Sequence, residues 1–458
     1  MKTNSLDFDA QALREKILDL AMRGKLVKQD PNDEPASALL EKIKAEKAEL
    51  VKEKKIKKSK PLPEITDDEK PFHIPDSWKW VRGEDIVSLI GDGLHGTPVF
   101  SKEGVPFVNG SNLIDGKISL TKSTKFVSEE EYLKYKKDLL PGTLFLSLNG
   151  TLGKVAKYHN EKIVLGKSAG YFSLIDVKMQ DFIFYFLQSA IFKKYYDSKY
   201  TGSVIKNIPL KALRECIIPL PPLEEQSRIA AKIAQLFALL RKVESSTQQY
   251  AKLQSLLKSK VLDLAMRGKL VKQDPHDEPA SVLLEKEGLK ESNEIPHQIP
   301  NSWSWIVLGS GVKFINGRAY KKSELLNDSS LTPILRVGNL FTNSSYYYSD
   351  LKLNPDKYID NGDLIYAWSA SFGPQIWTGG HVIYHYHIWK VIPKQIIEKQ
   401  FLYYFLLDKR NVIGETDLHG STMKHITKTN MEHLSFPLPP LSEQKRIVKK
   451  INFLLEIL

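Results

Sequence analysis

Residues 16–42 read KILDLAMRGKLVKQDPNDEPASALLEK, and residues 260–286 read KVLDLAMRGKLVKQDPHDEPASVLLEK. The second copy differs from the first only in having Val261, His276 and Val282 in place of Ile17, Asn32 and Ala38. Agreement over a segment of this length indicates an internal duplication rather than a chance similarity. The fold is therefore expected to use the same segment twice.

Three further repeats frame the rest of the chain, and the sequence between them is far less alike. They are IPDSW at 74–78 with IPNSW at 299–303, GSVIKNI at 202–208 with GSTMKHI at 420–426, and PLPPLEEQSRI at 219–229 with PLPPLSEQKRI at 437–447. The pattern predicts two variable globular units, each framed by a repeated scaffold that presents the same surface twice.

The composition suits a protein with substantial cores and an anionic partner. The chain has 458 residues, enough for about two or three domains, and 42% of them are hydrophobic. Lysine and arginine outnumber aspartate and glutamate by 66 to 54, which gives a net charge of +12. A basic chain favours a polyanionic partner, although charge argues for attraction and not for specificity.

Cys216 is the only cysteine of the chain. A single thiol excludes a disulfide framework and a cluster of thiolate metal ligands, and it suits a reducing cytoplasm. No apolar run reaches the roughly 18 residues that a membrane span requires, and residues 1–11 contain no apolar signal core. We therefore expect a cytoplasmic protein without a membrane partner.

A seven-residue apolar repeat runs through the segment that follows the first PLPPL. One series comprises Ile229, Leu236, Val243, Tyr250, Leu257 and Leu264, and its companion comprises Ile233, Leu240, Thr247, Gln254 and Val261. This period predicts a coiled-coil seam on a helix of roughly 45 residues, about 65 Å long, that ends near Gly268. A helix buried in an ordinary bundle is the alternative, since Thr247 and Gln254 are polar at seam positions.

The two ends of the chain repeat the two halves of this helix. Ile447, Ile451, Leu454 and Leu458 correspond to Ile229, Ile233, Leu236 and Leu240, and Leu6, Leu13, Ile17 and Leu20 correspond to Tyr250, Leu257, Val261 and Leu264. We predict that the two ends form a split second helix, antiparallel to the central one. The molecule would then have a circular pseudo-twofold, with the variable units at opposite ends of a rod.

The variable units have the pattern of an α+β fold. TLFLSLNG at 143–150 and DLIYAWSA at 363–370 are short apolar runs bounded by glycine or polar residues, which predicts strands. Aromatic stretches at 182–187 and 401–406 occupy the same relative place in the two units. They favour core helices over platforms for stacking bases.

The order of these elements closely resembles that of the DNA-specificity subunit of type I restriction-modification systems. The motifs that carry the resemblance are PLPPLxEQ, LAxRGKLVxQDPxDEPAS and IPxSW between two variable units, and they cover essentially the whole chain. The resemblance implies a non-catalytic subunit with two target recognition domains, each of which reads one half of a split sequence in double-stranded DNA.

The resemblance also implies partners and domain limits. Two modification subunits would bind S-adenosylmethionine and methylate adenine, and restriction subunits would use ATP and Mg²⁺ to translocate and cleave DNA; this chain itself would bind no cofactor. The expected domains are a scaffold helix and linker (1–71), the first recognition domain (72–218), the central helix and linker (219–298), the second recognition domain (299–436) and a C-terminal scaffold helix (437–458).

A search for catalytic motifs agrees with a non-catalytic role. The chain has no Asn-Pro-Pro-aromatic or Asp-Pro-Pro-aromatic motif of the amino-methylating kind and no G-x-G-x-x-G. VLGKS at 164–168 fails as a phosphate loop because Glu161 stands where the leading glycine belongs. His381, His385 and His387 could share one strand face, but the approximate counterparts of these histidines are Glu161, Leu165 and Lys167. We therefore expect packed or hydrogen-bonded histidines and no metal site.

Reading duplex DNA requires polar side chains on exposed loops. The candidates in the first unit are His95, Thr97, Asn109, Ser111, Asn112, Ser203, Lys206 and Asn207. Those in the second unit are Arg318, Tyr320, Lys321, Lys322, Arg336, Asn339, Ser421, Lys424 and His425. Each lysine or arginine could instead be a solvated surface charge.

The charged residues of the first repeat are candidates for binding a partner protein. Arg23, Lys25, Asp30, Asp33 and Glu34 recur as Arg267, Lys269, Asp274, Asp277 and Glu278 with their spacing intact. Two equal docking sites for one partner, used twice, would explain this agreement. A recent duplication that has had no time to diverge is the alternative.

The function expected from the sequence is that of a molecular ruler, in which a coiled coil separates two recognition domains that read a bipartite DNA site. The main alternative is a coiled-coil scaffold that assembles other proteins without reading DNA. A stand-alone methylating or cleaving enzyme comes third, because its motifs are missing.

Overall fold

A computed structural model describes residues 8–202, 206–341, 345–369, 372–408 and 426–458. The chain divides into two compact units, Met1–Thr247 and Gln248–Leu458, which we call unit 1 and unit 2. Both units combine helices with sheets. In the part of the chain just defined, no helix has the length and apolar character needed to cross a membrane.

Unit 1 contains six helices of its own and the first part of a seventh among its described residues. The helices are α1 (Ala10–Met22), α2 (Ala36–Lys52), α3 (Glu129–Tyr135), α4 (Gln180–Phe186), α5 (Ala190–Asp197), α6 (Leu210–Glu215) and α7 (Leu223–Met266), which continues into unit 2. The strands are β1 (Lys79–Arg82), β2 (Val87–Asp92), β3 (Phe100–Ser101), β4 (Val105–Val108), β5 (Leu113–Ile114), β6 (Lys117–Ile118), β7 (Lys125–Val127), β8 (Thr143–Ser147), β9 (Val155–Lys157), β10 (Val164–Leu165), β11 (Ala169–Leu174) and β12 (Ile217–Leu220).

Two four-stranded sheets form the variable region of unit 1. One has the order β2-β11-β8-β9 and the other has the order β10-β4-β7-β3. The predicted strand TLFLS is β8, which is buried along its whole length because it lies inside its sheet. Phe182 and Phe186 of α4 are fully buried, so the prediction of a core helix for this aromatic stretch is confirmed.

Unit 2 contains the end of α7 and a second set of elements. The helices are α8 (Ala280–Lys286), α9 (Leu308–Gly311), α10 (Val337–Phe341), α11 (Lys399–Asp408), α12 (Lys428–Glu432) and α13 (Leu441–Ile457). The strands are β13 (Ser304–Val307), β14 (Val312–Asn316), β15 (Thr332–Leu335), β16 (Tyr347–Ser349), β17 (Tyr358–Ile359), β18 (Leu364–Ala367), β19 (Gly373–Ile376), β20 (Val382–Tyr384), β21 (Ile388–Pro393) and β22 (Ser435–Leu438).

Unit 2 also contains two four-stranded sheets. Their orders are β14-β21-β18-β19 and β16-β15-β20-β17. Within the predicted strand DLIYAWSA, residues LIYA form β18, and the second aromatic stretch lies in α11, where Phe401 and Phe405 are buried. Both predictions are therefore confirmed.

A short antiparallel ladder joins two of the repeats in each unit. In unit 1, β1 follows IPDSW and pairs with β12, so that Lys79 lies opposite Leu220 in the PLPPL segment. In unit 2, β13 pairs with β22 in the same way, and Ser304 lies opposite Leu438. The ladder therefore places the repeated Trp-containing turn beside the start of a scaffold helix.

The long helix α7 has 44 residues, close to the predicted length. It begins at Leu223, the last residue of the proline-rich PLPPL, and ends before Gly268, whose φ of +67° is typical of the residue that terminates a helix. The amide of Lys269 donates to the carbonyl of Leu264 over 2.8 Å, which completes the cap. Gly24 ends α1 with the same φ of +67°.

Within each unit, a terminal helix packs against part of α7 in antiparallel order. In unit 1, Arg14 in α1 pairs with Glu244, and Asp33, after α1, pairs with Arg228. In unit 2, Leu458, after α13, accepts a hydrogen bond from Gln254. Arg446 near the start of α13 pairs with Asp277, a residue that follows α7.

Of the predicted seam residues, only those at the start of α7 are fully buried. Ile229 and Ile233 are fully buried, but Val243, Tyr250 and Leu257 are exposed by 43%, 59% and 49%. The seam is therefore not buried at these three positions, and the coiled coil stays a prediction. A seven-residue period identifies a face that a partner helix can cover, but not how far along α7 that partner extends.

Candidate nucleic-acid interface

The repeats converge on one junction in each unit, which we call the scaffold junction. A Cβ atom on Gly24 would lie 2.5 Å from Cγ of Pro75, and one on Gly268 would lie 2.4 Å from Cγ of Pro300. Only glycine therefore fits where the end of the scaffold helix meets IPxSW. This close approach links LAMRGKLV to the second repeat by packing rather than by an exposed surface.

A buried carboxylate lies at the centre of each scaffold junction. Glu225 accepts hydrogen bonds from Nε1 of Trp78 at 2.9 Å and from Nε2 of Gln29 at 2.6 Å. Burial raises the pKa of Glu225, and the two donors oppose that shift. In unit 2, Glu443 accepts from Trp303 at 2.9 Å and from Gln273 at 2.5 Å, and burial again raises its pKa.

The polar loops of the first variable region converge on the turn between β10 and β11, residues 166–168. The amide of Leu94 donates to the carbonyl of Leu165 over 2.7 Å, which brings the loop with His95 to this turn. The hydroxyl of Ser168 donates to Oδ1 of Asn109 over 3.0 Å and accepts from the amide of Gly110 over 2.9 Å. Two of the predicted loops therefore surround one turn that the sequence analysis did not select.

Unit 2 has the same arrangement around the turn between β20 and β21, residues 385–387. The amide of Arg318 donates to the carbonyl of Tyr384 over 3.0 Å, and the amide of His385 donates to Leu335 over 2.9 Å. The amide of Trp368 donates to the carbonyl of His387 over 3.1 Å. We call residues 166–168 and 385–387 the recognition turns of unit 1 and unit 2.

Ile208 and Ile426, the last residues of GSVIKNI and GSTMKHI, each bond to the residue that follows a strand beside the recognition turn. In unit 1, the amide of Leu148 donates to Ser168, and Ile208 donates to the carbonyl of Leu148 over 2.9 Å. In unit 2, Ile426 donates to the carbonyl of Trp368 over 3.2 Å. The pairs GSVIKNI and GSTMKHI therefore end at equivalent places.

Comparison with known proteins identifies the family. The family model described as the type I restriction modification DNA specificity domain matches residues 75–254 and 300–456, which include both recognition turns. The chain belongs to this family. Its two matched segments correspond to the two variable regions with their following scaffold helices.

Two relatives and one solved structure illustrate the similarity. The chain is 30% identical to the type I restriction enzyme EcoAI specificity subunit of Escherichia coli, over 98% of this chain and 89% of the relative. It is also 30% identical to the EcoEI specificity subunit of Escherichia coli, over 66% of this chain and 62% of that relative. A solved chain from a study of complex assembly and conformational transition of the type I R-M system has a TM-score of 0.60 and 20% identity, over 84% of this chain and 92% of that chain, which shows similarity of fold.

Several candidates for DNA contact in this family member face solvent at the unit 1 turn. His95, Thr97 and Ser111 are exposed, and His95 lies 2.7 Å from Asp92. Asn112 does not face solvent. It is 4% exposed, and its amide holds the turn by accepting from the amide of Asn109 and donating to Thr124.

Some residues of the segment 201–207 make contacts within unit 1. Asn207 exchanges backbone hydrogen bonds with Thr201, which brings the two ends of the loop together. Lys206 is exposed, and its ammonium lies 4.2 Å from the centre of the Tyr200 ring. Ser203 lies outside the described residues, as do Ser421, Lys424 and His425.

The cationic candidates of unit 2 differ in whether other side chains of the unit contact them. Arg318 forms a bidentate pair with Glu324, at 2.8 Å and 3.1 Å, and Arg336 lies 4.5 Å from the centre of the Tyr347 ring. Lys321 and Lys322 are exposed.

The remaining two candidates of unit 2 are held by the fold. Tyr320 is partly buried and donates its hydroxyl to Tyr384. Asn339 is 7% exposed and accepts from the amide of Arg336, so it is buried like Asn112, and the role of both in contacting DNA stays a prediction.

The equivalence assumed for the histidines shifts by one residue. Gly166 and His385 occupy the same bridge position, opposite Leu94 and Arg318, and Ser168 and His387 carry equivalent hydrogen bonds. The expected counterparts Leu165 and Lys167 are therefore wrong by one position. His381 instead lies at the start of β20 and pairs with Asp360 at 2.6 Å.

The imidazoles are packed among rings. The rings of His385 and His387 are centred 4.9 Å apart, and burial lowers the pKa of both. For His385, burial together with His387 and Arg336 lowers the pKa to about 4. Over the described ranges, no group of three or more potential metal ligands occurs.

The predicted partner-binding residues separate into internal and external sets. Asp33 pairs with Arg228 at 3.0 Å, and Asp277 pairs with Arg446 at 3.0 Å, with both aspartate side chains only 7% exposed. These two aspartates therefore bind arginines within the fold, and little of either side chain is accessible to a partner.

Other members of this set remain at the surface. Arg23 and Arg267 each pair with an aspartate of their own helix, and Glu34 and Glu278 each pair with a lysine of the following helix. Lys25, Lys269, Asp30 and Asp274 are exposed. Their role as a docking surface remains a prediction.

The sequence analysis missed the residues that form the scaffold junction. Gln29, Trp78, Glu225 and Arg228 make its central contacts, yet none was a candidate. Each lies inside a repeated motif, so the repeats contained the signal. What was missing was the connection between motifs that are far apart in the chain.

Proposed function

We propose that this protein is the DNA-specificity subunit of a type I restriction-modification complex, in which each unit reads one half of a bipartite duplex sequence. The observation that carries the proposal is the recurrence of one arrangement, a tight turn surrounded by polar loops, in both family-matched segments. The loops supply donors and acceptors of the kind that read base edges, and the net charge of +12 favours a polyanion.

Chemistry is assigned to the partner subunits in this proposal. Two modification subunits bind S-adenosylmethionine and methylate adenine, and restriction subunits use ATP and Mg²⁺ to translocate and cleave DNA. This chain supplies the sequence preference and binds no cofactor. The absence of amino-methylation and phosphate-loop motifs from its sequence supports this division.

We also propose that α7 holds the two readers apart, with α1 and α13 as the halves of a split antiparallel partner in a coiled coil with a circular pseudo-twofold. The support is the antiparallel order of contacts within each unit, from Arg14 with Glu244 to Leu458 with Gln254. A helix of 44 residues is about 66 Å long, which suits a spacer.

The surface residues Lys25 and Lys269, with Asp30, Asp274, Glu34 and Glu278, are proposed to dock the two modification subunits. Reversing the charge of Lys25 or of Lys269 should reduce the number of bound modification subunits from two to one, because each repeat would serve one subunit. Charge reversal of the exposed Lys122, in the variable region of unit 1, provides the control. Unchanged stoichiometry in both repeat variants would contradict this docking site.

The decisive experiment is methylome sequencing of a host that expresses this chain with its modification partner. We expect methylated adenines in one bipartite motif with a fixed spacer, and salt-sensitive, sequence-selective binding of that motif in solution. Exchange of residues 72–200 for those of another family member should change one half of the motif only. A complex that assembles but shows no sequence preference would instead favour a pure scaffold.

A further inference from the structure

A ladder of aromatic rings runs from the core of unit 2 to its recognition turn. Tyr366 and Trp389 are fully buried and stack with their centres 5.9 Å apart. Trp389 stacks in turn on Trp368 at 5.7 Å with an angle of 19° between the planes. Core packing thus fixes the position of Trp368, which is only partly buried.

The same ladder supports the residues at the tip of the turn. Trp368 donates its indole N–H to the carbonyl of Tyr386 over 2.8 Å and lies edge-on to His387 at 5.0 Å. The ring of Tyr386 is centred 4.0 Å from that of His387 and 4.3 Å from that of His385, and Tyr386 is 38% exposed. Large rings held this firmly offer contact area at little cost in conformational entropy.

The side chains at the tip itself are uncharged. Beside it, Arg318 pairs with Glu324, whereas Arg336, whose guanidinium lies over the Tyr347 ring, keeps its positive charge. His385 and His387 are neutral near pH 7 because burial lowers the pKa of each. A neutral imidazole keeps one donor and one acceptor nitrogen, which can meet base edges but cannot neutralise a phosphate.

Unit 1 has different residues at the described positions that are equivalent to this surface. Its recognition turn is Gly166, Lys167 and Ser168, and the position equivalent to Trp368 is Leu148. The exposed side chain at the tip is therefore a lysine in unit 1 and a tyrosine in unit 2.

We propose that Tyr386, with His385, His387 and Trp368 behind it, is the base-contacting surface of unit 2, and that it reads its half of the DNA sequence through uncharged contacts. This inference rests on the proposed function of the chain as a DNA reader. It implies that the two units recognise DNA with different chemistry at equivalent turns.

The test is binding of the full chain, in its complex, to duplexes that carry the methylome-defined motif and single-base changes in either half. Tyr386→Ala should lower discrimination in one half by about tenfold to a hundredfold, because a specific base contact is lost. Discrimination in the other half and the slope of affinity against salt should stay the same, because no phosphate contact is removed.

Two further variants test the equivalent turn of unit 1 and the transfer of its residue to unit 2. Lys167→Ala should affect only the other half of the motif, and Tyr386→Lys, which introduces the unit 1 residue, should relax the unit 2 half as Tyr386→Ala does. Tyr250→Ala, on an exposed tyrosine of α7, is the matched aromatic control. Thermal melting of each variant separates loss of reading from loss of folding.

The outcomes distinguish this inference from the proposed function. If the wild-type complex has no sequence preference, the proposed function fails. If the wild type is selective but folded Tyr386→Ala and Tyr386→Lys keep full discrimination in both halves, the inference is overturned. A uniform loss of affinity for all sequences with a reduced salt slope in Tyr386→Ala would also overturn it, since the turn would then contact the backbone.

Discussion

Glu225 places a carboxylate in the buried interior of unit 1, where a charged group is energetically unfavourable. The two groups that donate hydrogen bonds to Glu225 offset this cost. The residue is 1% exposed and burial raises its pKa, while Trp78 and Gln29 donate to its two oxygens. Leaving a buried acceptor without its partner costs more than a hydrogen bond contributes when it is formed. Removing the indole N–H of Trp78 should therefore lower the stability of unit 1 by more than one hydrogen bond contributes.

Trp78→Phe should lower the unfolding free energy of unit 1 by about 1–3 kcal/mol, because the ring remains buried while Glu225 loses a donor. Trp303→Phe should have the same effect on unit 2, where Glu443 is the acceptor. Denaturant unfolding measures both, with the neighbouring Trp80→Phe as the control. Equal stability of Trp78→Phe and Trp80→Phe would show that the buried carboxylate does not depend on this donor.

The histidines of the unit 2 recognition turn should make stability depend on pH. Their pKa values in the folded state lie below the ordinary value of about 6.5, and that of His385 is lowered to about 4. Between these values the unfolded chain binds more protons than the folded chain, so stability rises with pH. Unit 2 should therefore lose stability as the pH falls from about 6.5 toward about 4.

Replacing His385 by Asn should flatten this dependence, since a neutral side chain takes up no proton in either state. The measurement is the denaturation midpoint of unit 2, followed by tryptophan fluorescence across this pH range. His73→Gln, at an exposed histidine in unit 1, is the control. A His385→Asn variant with the full wild-type pH dependence would contradict the assignment of the effect to the recognition turn.

At the scale of elements, comparing two glycines distinguishes the cost of a strained backbone from the cost of a steric clash. Gly24 and Gly150 both have positive φ, of +67° and +74°, but only Gly24 faces a neighbour where a Cβ would go, 2.5 Å from Pro75. Gly150→Ala should therefore cost about 1–2 kcal/mol of unfolding free energy, the strain of a left-handed backbone.

Gly24→Ala should cost more than Gly150→Ala, because the end of α1 must move away from IPxSW. In unit 2, Gly268→Ala and Gly288→Ala form the matched pair, since nothing lies within 4 Å of a Cβ on Gly288. Denaturant unfolding gives all four values. If each pair showed equal losses, close packing at the scaffold junction would not be the reason for these glycines.

The sequence predicted those elements whose signals are local. Proline before α7 and glycine after it determine the ends of the helix, and apolar runs predicted β8 and β18. The exposure of the α7 seam at Val243 and Tyr250 was not predictable, because a period identifies a face and not the length of its partner. The recognition turns were missed because 166–168 and 385–387 share no residue, and hydrogen bonds alone reveal their equivalence.

At the scale of the whole molecule, the duplication separates what must be kept from what can vary. The scaffold junctions use glycine, tryptophan and glutamate in both units, because each residue there fits against the other repeats. The recognition turns keep only their backbone hydrogen bonds. Side chains at these turns can therefore change while the fold is retained, which suits a family whose members would read different sequences.

The spacer proposal makes a prediction about the whole molecule. An extra heptad after Thr247 lies between Glu244, which pairs with Arg14, and Gln254, which contacts Leu458, so it leaves both sets of helix contacts intact. It lengthens α7 by about 10.5 Å, which corresponds to about three base pairs at about 3.4 Å each. Methylome sequencing should find both half-sites unchanged and the spacer between them longer, with rotation of one reader about the DNA axis reducing the tolerated change. A folded, active insertion variant that keeps the original spacer would exclude α7 as the element that sets the distance.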